Sequence, residues 1–122
     1  MVNDFLFLRN DMEDVFESIL KSFENMKLWI PEIDEKIKDT SVKYGAEDPD
    51  WEKNREYVAL VRTIWTECKK WKDKDPKKKL EKYIRKRRNN TLSYCESMVV
   101  EDFLKVIDQD QIKYSKIRSG SP

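Results

Sequence analysis

Between Asp48 and Lys72 the chain reads DPDWEKNREYVALVRTIWTECKKWK, and Trp51, Tyr57, Val58, Val61, Ile64, Trp65, Cys68 and Trp71 recur mainly at steps of three and four. That period places them along one broad face of an α-helix. Asp48 followed by Pro49 suits a helix start, because an Asp side chain accepts the orphan amides of a first turn and proline fits the first helical position. A helix with so wide an apolar face is stable only if others cover it.

The composition points the same way. Two glycines among 122 residues leave few of the residues that tight β-turns favour, and helix formers abound. The expected fold class is all-α: a single-domain bundle of about four main helices plus one short helix over residues 1–118, with a flexible tail at 119–122.

Asn3 or Asp4 can cap a first helix carrying Phe5, Leu8, Met12, Val15, Phe16, Ile19, Leu20, Phe23 and Met26 on its apolar side. Trp29-Ile30-Pro31 ends it, since a residue before proline is pushed out of the helical region. Pro31 then opens a short helix through Ile33 and Ile37 to about Asp39. Thr40 to Glu47, with Gly45 and no sustained period, reads as the longest internal loop.

Asp75-Pro76 stops the central helix and caps a fourth, whose KKKLEKYIRKRR carries only Leu80, Tyr83 and Ile84 as an apolar stripe. Asn89-Asn90-Thr91 breaks that rod, and Ser93 with Glu96 has capping-box spacing. The last helix uses Leu92, Cys95, Met98, Val99, Phe103, Val106 and Ile107 to about Gln111, with Tyr114 and Ile117 as an extension.

The absence of histidine removes imidazole-based triads, HExxH sites and imidazole-bound zinc. Cys68 and Cys95 are the only cysteines, and each falls on an apolar stripe, so both read as small buried hydrophobes. Asp50 with Glu67 and Lys69 has the letters of a metal-dependent nuclease. A helix separates those carboxylates by roughly 25 Å at ~1.5 Å per residue, too far to share a cation. The expectation is a non-enzyme without metal, cofactor or evident small-molecule substrate. With no secretory signal, disulfide framework or apolar run of spanning length, an intracellular (cytoplasmic or nuclear) location is expected.

Charge is distributed unevenly beneath a net value of +1. Residues 1–50 hold 13 acidic and 6 basic side chains, a net −7, whereas residues 69–88 hold 12 basic and 3 acidic, a net +9. Within the basic segment, Lys77, Lys78, Lys79, Lys82, Tyr83, Arg85, Lys86, Arg87 and Arg88 form a candidate nucleic-acid surface, with cations for phosphates and a ring for an unpaired base. The same cations can instead be matched by the acidic first helix, within one chain or across a dimer.

Phe5-Leu6-Phe7-Leu8 is apolar on every side of a helical turn, which marks either the centre of a core or an interface. Phe5, Leu8 and Met12 are the candidate interface residues. The favoured function is a helical protein–protein interaction or regulatory module, a subunit of a larger assembly or a homodimer. The competing one is a small RNA- or DNA-binding accessory protein.

Overall fold

A computed structural model describes residues 4–24, 30–45, 48–71 and 74–119, with side chains for those between 6 and 110. Among the described residues there are five helices and no strand: α1 (Asp4–Glu24), α2 (Pro31–Lys43), α3 (Trp51–Lys70), α4 (Pro76–Arg88) and α5 (Tyr94–Ser119). The bundle is built on α1, which packs against each of the other four, while α3 packs on α1, α2 and α5.

The reason lies in the width of the α1 apolar face. Leu8, Met12, Val15 and Ile19 form one row and Phe16, Leu20 and Phe23 the next, all buried. Two rows accommodate neighbours on both sides. Phe16 stacks on Phe103 of α5 with ring centroids 4.3 Å apart, joining the two most widely apolar helices at the centre of one core.

The α3 face is buried as its period predicts, from Tyr57 to Cys68, and Trp71 closes its carboxyl end. Trp65 is fully buried, and its indole N–H donates to Asp34 Oδ1 of α2 at 3.0 Å, leaving no orphan donor. Trp51 departs from the pattern, being 40% exposed.

The start of α3 also differs from the sequence reading. Asp48 and Pro49 form a turn before the helix, in which Asp48 Oδ1 accepts the Asp50 N–H at 2.8 Å and the Asp48 carbonyl accepts the Trp51 N–H at 3.0 Å. Asp at the first position and Pro at the second favour such a turn, and Asp50 at φ −99°, ψ 22° completes it and becomes the flanking residue.

Pro31 opens α2 after an extended Ile30, as predicted, but the helix runs to Lys43 rather than Asp39. Thr40 to Lys43 is therefore helix, not loop. Thr40 Oγ1 donates back to the Lys36 carbonyl at 2.7 Å, and Tyr44 continues the buried row of Ile33 and Ile37. Tertiary burial of Tyr44 extends a helix whose local propensity is modest. At Gly45 an added Cβ would lie 3.2 Å from the Val42 carbonyl oxygen, so glycine permits the close return after α2.

Asp75 caps α4, accepting the Lys78 N–H at 3.1 Å. Ser93 Oγ accepts the Glu96 N–H at 3.2 Å, half of a capping box; Glu96 itself binds Arg87. Leu92 precedes α5 and packs half-buried against the core, and α5 continues past Gln111 to Ser119. Asn3, Met26, Trp29 and residues 120–122 lie outside the described residues, as do the side chains of Phe5, Tyr114 and Ile117.

Candidate interaction surfaces

The basic segment folds so that one edge of α4 faces acids on its neighbours. Lys77 Nζ reaches Glu24 of α1 at 2.7 Å and Asp110 of α5 at 2.9 Å. Burial opposes its charge, but these two hydrogen bonds prevail and raise its pKa. Arg85 pairs with Glu81 and Asp108, Arg87 with Glu96, and Arg88 with Glu101. The acids come mainly from α5, not from the net-acidic first fifty residues.

Tyr83 is engaged as well. Its hydroxyl accepts from Arg87 Nη1 at 3.0 Å and its ring meets the edge of Trp71 at 5.6 Å. Lys79 lies over the Trp71 ring at 5.4 Å. Of the nine candidate nucleic-acid residues, Lys78, Lys82 and Lys86 alone form an outward row with no acidic partner among the described residues. Their i, i+4, i+8 spacing aligns them about 6 Å apart along α4.

Of the candidate interface residues, Leu8 and Met12 are fully buried, held between α1 and the rest of the core. As packed they present nothing to a partner. The exposed apolar side chains of that segment are Leu6 (46%) and Phe7 (48%), which turn outward because Leu8 and Met12 take the inward row.

A second apolar surface lies where α2 ends and α3 begins. Ser41, Tyr44, Gly45, Trp51, Asn54, Arg55 and Val58 line an open groove of about 280 Å³. The Tyr44 hydroxyl donates to Asp11 Oδ2 at 2.6 Å, fixing the ring from behind. That bond, followed by Lys43, holds the Asp11 carboxyl below its ordinary range, while burial and the same bond push the Tyr44 phenol up. Asn54 is 1% exposed; its Nδ2 donates to the Tyr44 carbonyl at a long 3.4 Å, and its Oδ1 accepts nothing among the described residues.

A buried acceptor without a donor is uncommon and asks for a reason. Sequence reading missed this group because apolar side chains alone define the row, although Asn54 falls on it, with Val58, Val61, Trp65 and Cys68 following at i+4, i+7, i+11 and i+14. Arg55, beside it, has no acidic partner among the described residues.

Cys68 and Cys95 are buried free thiols. Burial pushes both thiols up, Cys95 to about 11 with a further push from Glu56, so neither is an activated nucleophile. Asp50 and Glu67 stand toward opposite ends of α3, and among the described residues no three metal-ligating side chains gather. No described helix is long and apolar enough to cross a membrane. No protein-family model, no curated protein and no solved structure matches the chain.

Proposed function

We propose that the chain is a non-enzymatic helical module that binds other protein chains, including a second copy of itself, as a regulatory or assembly subunit. The observation that carries this reading is the consecutive pair Leu6 and Phe7, each nearly half exposed at the start of the helix that organises the bundle. Large apolar side chains left side by side in water are the material of interfaces. Internal pairing of α4 removes much of the charge that favoured a different partner.

Sedimentation velocity at about 10 and 200 µM tests self-association, a span over which a micromolar dimer changes its populations measurably. A concentration-dependent dimer that Leu6→Ser/Phe7→Ser abolishes is the expected result. A wild type monomeric throughout would remove the self-associating form, and a photo-crosslinker at position 7 that captures no chain in cells would remove the rest.

A second reading, binding of RNA or DNA, is favoured by the row Lys78, Lys82 and Lys86. Contacts from this row would go to phosphate and carry little sequence preference. Anisotropy of a labelled single-stranded RNA at about 50 and 200 mM salt should show affinity falling with salt, and Lys78→Ala/Lys82→Ala/Lys86→Ala should flatten the slope. Unchanged affinity in that variant removes the reading.

A further inference from the structure

The groove between α2 and α3 invites a narrower statement, which rests on the reading of the chain as a protein-binding module but uses a face remote in sequence from Leu6 and Phe7. We infer that it accepts a short segment of another protein in which an aromatic or aliphatic residue is followed by Asp or Glu. The apolar side chain lies against Trp51, the carboxylate meets Arg55, and an N–H of the segment donates to Asn54 Oδ1.

Three independent observations converge on this occupant. Trp51, a large ring, stands 40% exposed at the groove's rim although its neighbours on α3 are drawn into the core. Asn54 Oδ1 is a buried acceptor lacking a donor among the described residues, on a side chain that lines the groove and is tethered by a long 3.4 Å bond from Nδ2 to the Tyr44 carbonyl. Among the described residues, Arg55 is the only charged side chain of the lining.

The charge selects the sign of the partner. Trp51, Arg55, Val58 and Arg62 follow one another at i, i+4, i+7 and i+11 and so form one row along α3. Neither Arg55 nor Arg62 has an acidic partner among the described residues. A basic segment would be repelled by these guanidinium groups, whereas an acidic one is attracted to them. The volume, about 280 Å³, suits one or two side chains and falls short of a drug-sized ligand.

Two probes decide the matter: acetyl-Gly-Trp-Glu-Gly-amide and acetyl-Gly-Trp-Lys-Gly-amide, titrated into the labelled full chain by proton–nitrogen correlation spectroscopy. The acidic probe should shift the Gly45 amide, the Trp51 indole and the Asn54 side-chain amide, and bind at least tenfold more tightly, a difference such titrations resolve readily. Arg55→Glu should reverse the preference. Asn54→Leu should weaken the acidic probe without lowering the unfolding midpoint, because it also removes an orphan acceptor.

Equal binding of the two probes, shifts confined to other faces, or no shift at about 5 mM probe would overturn the inference, that concentration detecting even millimolar affinity. So would unchanged binding in Asn54→Leu. Failure here alongside self-association through Leu6 and Phe7 would overturn the groove alone; loss of both would overturn the binding module itself.

Discussion

Arg9 of α1 and Asp102 of α5, 93 residues apart, face each other through two parallel hydrogen bonds of 2.8 Å, Nε to Oδ2 and Nη2 to Oδ1. Tyr57 of α3 donates its hydroxyl to the same Oδ2 at 2.8 Å, so one carboxylate ties three helices. The hydrogen bonds from Arg9 outweigh partial burial and raise the Arg9 pKa; burial, with Asp102 beside it, pushes the Tyr57 phenol strongly up.

Removing both partners should therefore cost less than the sum of removing each alone. Asp102→Ala removes the acceptor that the half-buried Arg9 guanidinium and the buried Tyr57 phenol share, and a loss of about 2–4 kcal/mol is expected in denaturant unfolding. Arg9→Met/Asp102→Leu should lose less than the two single changes together. Strict additivity would show that the bidentate pair contributes nothing as a pair.

Ile64 and Val61 lie inside the α3 face, at 2% and 0% exposure. Replacing either with Asp should cost roughly 3–5 kcal/mol, because an unpaired carboxylate enters an apolar core. An unmoved unfolding midpoint would contradict the packing of α3 on α1 and α5.

Below neutral pH the Asp11–Tyr44 contact should matter. The Asp11 pKa is lowered by folding, so its contribution is present above the unfolded value of 3.8 and is lost as pH falls below it. Asp11→Asn should flatten the acid limb of the stability curve between about pH 5 and 2. An identical limb in wild type and variant would show that the contact is not formed.

Alkaline conditions probe the thiols. Cys95 is raised from 9.0 to about 11, so its contribution is complete below pH 9 and declines as pH rises toward 11. Cys95→Ala should decline less steeply over that window. In the native protein both thiols should react with a disulfide reagent at pH 8 far more slowly than in denaturant; equal rates would place a thiol at the surface.

The caps of α4 and α5 give a local check. Asp75→Ala and Ser93→Ala each remove an acceptor from a first-turn amide and should cost about 1 kcal/mol, read as a shifted denaturant midpoint. No shift in either would mean that water satisfies those amides equally well.

Much of the fold was legible in the chain because its determinants are local or periodic. The rows from Leu8 to Phe23 and from Tyr57 to Cys68 repeat with the helical period, and Pro31 at the head of α2, the Asp75 cap and the Ser93 cap each act within a single turn. The all-helical class follows from them. Asp48-Pro49 misled because the same pair caps a helix or makes a turn, and only the Trp51 amide's choice of partner distinguishes the two.

What tertiary structure alone decided is who faces whom. Apart from the i, i+4 pair of Arg85 with Glu81, nothing local in α4 assigns Lys77, Arg85, Arg87 and Arg88 to acids on α1 and α5 while leaving Lys78, Lys82 and Lys86 outward. Nor does a helical period, which already sets Leu6 and Phe7 off the inward row of Leu8, decide that they stay nearly half exposed, or that Asn54 is buried without a donor among the described residues. Periodicity selects a face of one helix. Pairing of charges, exposure of an apolar side chain and isolation of a polar atom depend on the neighbour, and neighbours exist only after the chain has packed.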